Sequence, residues 1–314
     1  MEMRIKFQRQ SEIMLKECLK VKKNESVLII TDKNKREIAD SIYKTALKIT
    51  KEVKLVEIPI PKISGIEPPS KVAKEMLNYD VILAPTTQSI THTHATKDAV
   101  KAGARVATLP GINEKIMNES MFADYDKVEA FTLKVLKKVK NAKKITVETK
   151  RGTKLSLITA ERKWFADTGK IEFSGNLPAG EVFVSPLEGT TEGKIVVDSF
   201  KHDKEIYAKE GTEIIIEKGN VKEVSDKKSK IARLFKTVEH ATNVAELGIG
   251  TNYKAKIIGN ILQDEKVLGT CHIAFGSNFS FGGKIKAGMH IDLIIKNPTI
   301  TIDGKIIMKS GKLI

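Results

Sequence analysis

The chain has 314 residues, 41% of them hydrophobic, 30% charged and 5% aromatic, which is the composition of a soluble globular protein long enough for two domains. The formal net charge of +15 comes mostly from lysines spread along the chain beside Glu or Asp, as is typical of a solvated, thermophilic surface. Because the densest basic run, residues 137–144, contains no aromatic residue, we expect no nucleic-acid partner.

The sequence predicts neither a membrane anchor nor a secretion signal. No apolar run approaches the roughly 20 residues that a membrane helix needs. Residues 1–6 lack the apolar centre of a signal peptide. The two cysteines, Cys18 and Cys271, are too few for a disulfide framework. We therefore expect a cytoplasmic protein.

The first part of the chain alternates between helix and strand patterns. Residues 8–22 form a short helical pattern, residues 25–31 a buried strand, and residues 36–50 a helix with one apolar stripe. Further strands are predicted at residues 53–58, 80–84 and 105–109, and further helices at residues 71–78 and 95–102. This order predicts a mostly parallel sheet flanked by helices, in a domain that we place at residues 1–143.

A polar loop at residues 85–94 follows the third predicted strand and contains two histidines. Ligands of open α/β sheets bind beyond the carboxyl ends of the strands, so His92 is a candidate catalytic acid or base. The alternative, that His92 and His94 are surface or helix-capping residues, has equal weight. No glycine-rich phosphate loop follows the first strand, so a nucleotide cofactor is not expected.

From Lys144 onward the pattern becomes that of antiparallel strands. Residues 145–149 and 155–159 flank a turn at Gly152, and Asp303-Gly304 is a typical hairpin turn near the end of the chain. Further strands are predicted at residues 181–185, 193–198, 213–217 and 291–295, and a helix at residues 227–243. We predict that residues 144–314 form a largely antiparallel α+β domain, which carries the metal site described next.

Acidic residues and histidines of this second domain combine into a candidate metal site. Glu181 and Glu246 lie in apolar segments without a basic residue, and a buried carboxylate is costly unless a cation pairs with it. Taken singly, each is expected to pair with a distant Lys or Arg. His290 and Asp292 are two residues apart in an alternating run and therefore share one face of a strand. With His272 they complete a set of imidazoles and carboxylates suited to zinc, cobalt, manganese or iron.

Several motifs in this part of the chain resemble a known family in their order and spacing. They lie at residues 176–183, 192–193, 245–250, 264–266, 269–276 and 290–292. Together they resemble the thermophilic leucyl aminopeptidases, the family of aminopeptidases T and S. The resemblance implies a homodimeric peptidase in which Glu181, Glu246, His272, His290 and Asp292 hold two zinc, cobalt or manganese ions.

A metal-dependent aminopeptidase is therefore the first functional hypothesis. Two metal ions would polarise the peptide carbonyl and lower the pKa of the water that attacks it, while the free amine of the peptide binds one ion. Glu265 is the candidate for proton transfer in this reaction.

The segment after His272 departs from the peptidase pattern. The peptidases carry a tyrosine there, whereas this chain has Asn278-Phe279-Ser280-Phe281. This segment and the loop at residues 89–93 are more similar to a related branch that includes the 2,5-dihydroxypyridine dioxygenases.

That similarity implies a mononuclear iron(II) enzyme as the second hypothesis. Its iron would be held by the equivalents of His272, His290 and Asp292. Glu181 and Glu246 would then support the ligands or face the substrate, with His92 as an acid or base for a ring hydroxyl group. A third hypothesis is a basic, non-catalytic binding protein that retains the fold.

Overall fold

The computed structural model describes residues 5–198, 200–202 and 205–314. The chain divides into two compact units. The first unit comprises Met1–Ala130, Asp167–Ala179 and Tyr253–Lys256. The second unit comprises Phe131–Ala166, Gly180–Asn252 and Ile257–Ile314.

The helices are α1 (Gln8–Glu12, continued by a π-helical turn at Ile13–Cys18), α2 (Arg36–Ala46), α3 (Ser70–Met76), α4 (His94–Lys101), α5 (Glu114–Asn118), α6 (Tyr125–Val139), α7 (Lys230–Thr237) and α8 (Ile261–Asp264). Short 3-10 turns lie at Ser120–Phe122 and Phe279–Phe281. Within the described ranges, each helix is too short or too polar to cross a lipid bilayer.

The strands are β1 (Val27–Thr31), β2 (Val53–Glu57), β3 (Val81–Ala84), β4 (Arg105–Thr108), β5 (Lys144–Glu148), β6 (Lys154–Ile158), β7 (Phe165–Asp167), β8 (Ser174–Asn176), β9 (Glu181–Val184), β10 (Glu192–Val196), β11 (Phe200–His202), β12 (Glu205–Ala208), β13 (Glu213–Glu217), β14 (Asn220–Val224), β15 (Val244–Gly250), β16 (Thr270–Gly276), β17 (His290–Lys296), β18 (Thr299–Ile302), β19 (Lys305–Lys309) and β20 (Lys312–Leu313).

A parallel sheet in the order β2-β1-β3-β4-β8 forms the centre of the first unit. Strands β1 and β3 are buried along their whole length, as expected of strands covered by helices on both faces. Apolar residues of α3 and α4 pack with those of β1 and β3 in one buried cluster. The predicted α/β sheet flanked by helices is therefore confirmed.

The last strand of this sheet comes from the part of the chain for which the sequence analysis predicted a largely antiparallel α+β domain. Strand β8 pairs in parallel with β4, with Ser174 opposite Val106 and Asn176 opposite Thr108. Its sequence, Ser-Gly-Asn, contains no apolar residue, so hydrophobic periodicity does not reveal it.

Two antiparallel sheets make up most of the second unit, in the orders β14-β13-β10-β6-β5-β18-β19-β20 and β17-β16-β15-β9-β7. Apolar residues of both sheets belong to one buried cluster, which includes Val147, Ile195, Leu247 and Ile273. The predicted hairpin β5–β6 is present, and so is the closing hairpin β18–β19. The antiparallel character predicted for this region is confirmed.

Helix α7 is shorter than the predicted helix at residues 227–243. It begins after Ser229, whose hydroxyl group accepts a hydrogen bond from the Ala232 N–H. It ends at Thr237 because Val238 is extended. Residues 238–243, which the prediction included in the helix, are not helical.

Candidate metal centre

Strand pairing brings the predicted metal ligands to one face of the sheet β17-β16-β15-β9-β7. His272, Ala274 and Gly276 alternate along β16 and therefore point to the same side. Ala274 is paired with Glu246 of β15 on one side and with Asp292 of β17 on the other.

The remaining two ligands follow from the same register. His290 lies opposite Gly276, and Glu181 of β9 lies opposite Gly250 of β15. Gly250 is four residues beyond Glu246 and so lies on the same face of β15. The structure thus places all five predicted ligands on one sheet face.

Small residues next to the ligands leave space for the long polar side chains. Gly248 is paired with His272, and a Cβ atom at Gly248 would lie 2.0 Å from the His272 Nε2 atom. A side chain at this position would displace the imidazole. Gly248 is therefore a component of the site that the sequence analysis did not identify.

The first group of ligand atoms is fully buried and centres on His272. Its Nε2 atom lies 3.2 Å from Glu246 Oε1 and 3.4 Å from Glu181 Oε2. Glu181 Oε2 is buried and accepts no hydrogen bond from the described residues. An acceptor atom left in this state is suited to binding a cation.

The second group shares Glu246 with the first. The Nε2 atom of His290 lies 3.6 Å from Glu246 Oε2 and 3.4 Å from Asp292 Oδ1. In each group the ligand atoms lie within 4.8 Å of one another. Bonds of about 2.0–2.2 Å from one ion to imidazole and carboxylate would place such atoms at comparable separations. The residues therefore fit a metal ion.

The orientation of His290 is fixed by a carbonyl group. Its Nδ1 atom lies 2.7 Å from the Ser277 carbonyl oxygen, so Nδ1 carries the proton and donates it. The Nε2 lone pair is then directed at Glu246 and Asp292, as metal ligation requires.

Without a metal ion, the site attracts protons instead. Burial alone would lower the pKa of His272, but its hydrogen bond with Glu246 and the nearby carboxylates raise it to about 9. Burial has the same effect on His290, yet Asp292 and Glu246 raise its pKa to about 10. Burial would raise the pKa of Asp292, whereas His290 lowers it to about 2. The carboxylates therefore stabilise positive charge at this position.

Glu181 has a cationic partner that the sequence analysis missed. The Lys266 ammonium lies 2.6 Å from Glu181 Oε1 and 2.9 Å from Glu265 Oε1, and the Lys266 side chain is only 2% exposed. The expectation that a buried glutamate pairs with a distant basic residue therefore holds for Glu181. The lysine was visible in the motif at residues 264–266, but only the fold shows that it is buried beside Glu181.

Glu265, the candidate for proton transfer, faces Lys266. Burial raises the pKa of Glu265 to about 8, although Lys266 lowers it and Glu181 raises it further. Glu265 can therefore hold or release a proton near neutral pH.

His92 lies in the first unit, in the loop after β3, and its side chain is exposed. Its role as an acid or base stays a prediction. His94 is the first residue of α4, and its backbone N–H donates a 2.6 Å hydrogen bond to Glu67. His94 therefore lies at the start of a helix, which agrees with the alternative that it is a surface or helix-capping residue.

Three phenylalanine rings of the second unit form a series of ring contacts that begins at His290. The Phe281 ring meets the His290 ring edge to face at 5.6 Å, and Phe183 meets Phe281 edge to face at 5.8 Å. Phe165 is stacked on Phe183 at 5.3 Å. A half-buried aromatic side chain thus lies beside a predicted ligand, in the segment that departs from the peptidase pattern.

Polar contacts hold the loop that carries Phe281. The Asn278 amide donates hydrogen bonds to Ser185 Oγ at 2.9 Å and to Glu188 Oε1 at 3.0 Å. The Arg162 guanidinium binds both Glu188 and the Gly282 carbonyl group. These contacts position the Ser277 carbonyl and Phe281 around His290.

Comparisons with known proteins identify the family of this chain. The family model of NicX, 2,5-dihydroxypyridine 5,6-dioxygenase, matches residues 6–314. Among solved structures, the 2,5-dihydroxypyridine dioxygenase of Pseudomonas putida KT2440 is similar with a TM-score of 0.82, 17% identity, and coverage of 98% of this chain and 96% of that chain. AmpT of Thermus thermophilus is similar with a TM-score of 0.74, 16% identity, and coverage of 98% of both chains. A comparison with curated proteins found no match.

The family match corrects the first functional hypothesis. The prediction of an aminopeptidase, and with it the terms hydrolase, metallopeptidase and protease, is wrong, because the match over residues 6–314 is to a dioxygenase family. At 16% identity the similarity to AmpT shows a shared fold alone. The second hypothesis agrees better with the findings, and the match also favours an enzyme over a non-catalytic binding protein.

Proposed function

This chain belongs to the 2,5-dihydroxypyridine 5,6-dioxygenase family, and from that premise we propose that it is a mononuclear iron(II) enzyme that opens a dihydroxylated pyridine ring with molecular oxygen. The observation that carries the proposal is the family match over residues 6–314. The imidazole and carboxylate cluster of the second unit supports it, because it supplies the residue types of a non-haem iron site.

In this proposal His272, His290 and Asp292 hold the iron. Two imidazoles and one carboxylate leave open positions at which the metal supplies binding and activation of oxygen and of a ring hydroxyl group. Glu246 lies between the two imidazoles, at 3.2 Å and 3.6 Å from their Nε2 atoms, and therefore faces the position of the iron and of the substrate. The Ser277 carbonyl keeps the His290 proton on Nδ1.

Two further groups act on the substrate. Phe281 provides a flat apolar surface beside His290, which suits an aromatic ring better than a peptide. Glu265, whose burial raises its pKa to about 8, holds the proton that a ring hydroxyl group releases or takes back. A homodimer, implied by the family resemblance, is part of the same proposal.

The test is oxygen uptake by anaerobically purified protein loaded with iron(II) and supplied with 2,5-dihydroxypyridine. We expect stoichiometric loss of oxygen and of the ring absorbance. His290→Ala should lower the rate by at least about 100-fold, the upper end of what the loss of a residue supporting a metal site costs.

The matched control is His240→Ala, because the His240 side chain is 55% exposed and contacts Glu239 rather than the cluster. The control should retain the wild-type rate. Absence of oxygen uptake with 2,5-dihydroxypyridine and with its isomers would contradict the proposal.

A further inference from the structure

One end of the metal centre already contains a fixed cation. The two groups of ligand atoms, Glu181-Glu246-His272 and Glu246-His290-Asp292, share Glu246. A carboxylate shared in this way is suited to bridging two metal ions, which lie about 3.5–4 Å apart in dinuclear sites. In this chain, however, the Lys266 ammonium binds the outer carboxylate, Glu181.

We propose that Lys266 takes the place of a second metal ion and thereby limits the site to one divalent ion. The inference rests on the mononuclear site of the proposed function and explains why a chain with both glutamates would use a single iron. Lys266 is in this view a positioning residue, which acts through Glu181.

The first argument is the hydrogen bonding of Glu181. Its Oε1 atom accepts a bond of 2.6 Å from the ammonium, and only Oε2 faces His272. Bidentate binding of an ion by Glu181 would require this bond to break. Because the Lys266 side chain is 2% exposed, water does not replace the lost bond.

The second argument is electrostatic repulsion. An ion on Glu181 Oε2 would lie a few ångströms from the ammonium, and like charges repel strongly where water is excluded. The ammonium also lies 2.9 Å from Glu265 Oε1, so it contacts the carboxyl groups of two side chains.

The third argument is that the backbone fixes Lys266. The Lys266 N–H donates to the Gln263 carbonyl group at 3.0 Å, and its own carbonyl group accepts from the Asn252 N–H at 2.8 Å. Gly250 lies so close that a Cβ atom there would be 2.8 Å from the Lys266 carbonyl carbon. The backbone position from which the lysine side chain extends to Glu181 is therefore fixed.

The experiment is a metal titration of the full-length protein with manganese(II), followed by metal analysis after desalting and by electron paramagnetic resonance. We expect one manganese per chain with a single-ion spectrum in the wild type. Lys266→Met should take up a second ion and give the spectrum of an exchange-coupled pair, whereas Lys266→Arg keeps the charge and should remain at one.

Two controls test whether the number of bound ions depends on the charge of Lys266 itself rather than on the loss of any lysine. Lys194→Met removes a lysine that pairs with Glu213, and this variant should bind one ion. Glu181→Gln combined with Lys266→Met removes the outer ligand and should return the count from two to one. Circular dichroism establishes that each variant is folded.

The wild-type titration decides the inference even if Lys266→Met does not fold, because two coupled manganese ions in the wild type would overturn it. A folded Lys266→Met variant that still binds one ion would overturn it as well. Failure of the proposed function looks different: one manganese per chain combined with no oxygen uptake by the iron-loaded enzyme would refute the reaction and leave the role of Lys266 intact.

Discussion

Single residues set the geometry of this metal centre through very small differences in volume. Gly248 is the clearest case, because its hydrogen atom faces the His272 imidazole, and a Cβ atom would lie 2.0 Å from Nε2. Neither the alternating pattern of β15 nor its apolar character shows this requirement. It follows from the pairing of Gly248 with His272 across two strands.

We expect Gly248→Ala to weaken metal binding by about 10-fold to 100-fold, the range seen when support of a metal ligand is lost. The added methyl group displaces the imidazole while the strand itself tolerates alanine. Competition with a chelator measures the affinity. Gly288→Ala is the control, because a Cβ atom there would meet only Val238 at the ordinary distance of 3.5 Å. Equal affinities of the two variants would refute the steric argument.

Proton competition provides a second prediction at this scale. The pKa values of His272 and His290 are raised to about 9 and about 10, so in the metal-free protein both imidazoles bind protons at neutral pH. A metal ion must displace these protons, and its apparent affinity should therefore increase with pH by about 10-fold per unit for each proton released. Cobalt(II) titrations between pH 6 and 8 measure the slope, and a slope of zero would contradict the assignment.

Among the elements, β15 owes its function to an irregularity. The register between β15 and β16 shifts between Val244 and Glu246, as a β-bulge does. Val244 and Leu247 therefore both belong to the buried apolar cluster, while Glu246 faces the ligands. A regular strand would place Val244 and Glu246 on the same face.

In the first unit, an ion pair joins the start of β4 to the segment before β1. Arg105 donates to both carboxylate oxygens of Glu25, at 2.7 Å and 3.2 Å, and to the Leu19 carbonyl group at 3.0 Å. The side chains of Arg105 and Glu25 are 21% and 11% exposed. The pair is therefore poorly screened by water and helps fix the N-terminal segment to the parallel sheet.

We expect Glu25→Gln to lower the free energy of unfolding by about 1.5–3 kcal/mol, the usual range for hydrogen bonds to charged groups. Burial raises the pKa of Glu25, but Arg105 and the Lys22 N–H lower it more, so the folded value lies below the unfolded one. This stabilisation is present above the unfolded pKa and is lost as the pH falls through the folded pKa. Urea unfolding at pH 7 and pH 3 should therefore show a smaller mutational effect at pH 3 than at pH 7.

Asp98→Asn serves as the control for this element, because Asp98 and its partner Lys101 are 54% and 79% exposed. Exposed pairs contribute about 0–1 kcal/mol. A loss in Asp98→Asn equal to that in Glu25→Gln would show that the buried pair has no special role.

For the molecule as a whole, metal binding should be linked to stability. The proposed iron ligands are His272 on β16 and His290 and Asp292 on β17, so a bound ion joins these two strands. A ligand that binds only the folded state stabilises it by about 2.7 kcal/mol at 100 times its dissociation constant.

We therefore expect chelation to lower the thermal unfolding temperature of the wild type and to have little effect on His290→Ala. Differential scanning calorimetry with and without a chelator measures both. An equal effect of chelation on both proteins would show that the stabilising ion does not bind at His290.

Much of the fold was predictable from the sequence. The βαβ alternation predicted a parallel sheet flanked by helices, because parallel strands are connected by crossover helices. The apolar residues of these helices recur with a period of about 3.6, which is visible in the sequence. The turns at Gly152 and Asp303-Gly304 predicted the hairpins β5–β6 and β18–β19, since positive φ angles favour these residues. Strand β8 escaped prediction because it has no apolar residue.

The site was predictable in its residue types. A buried carboxylate requires a cation, and this rule singled out Glu181 and Glu246. The two-residue spacing of His290 and Asp292 in an alternating run placed that pair on one strand face. The rule does not distinguish between a lysine and a metal ion as the cation. The dinuclear peptidase was implied by the resemblance to the leucyl aminopeptidases, whereas the family match is to the 2,5-dihydroxypyridine 5,6-dioxygenases.

Only the tertiary structure decided that Lys266 is the cation beside Glu181. Lys266 is 85 residues from Glu181 along the chain, and only folding places its ammonium 2.6 Å from that carboxylate. Local sequence determines which face of a strand a side chain occupies, because the backbone alternates with a period of two. Which charges share that face depends on strand register and on a bulge, and these are set by long-range pairing across β9, β15, β16 and β17.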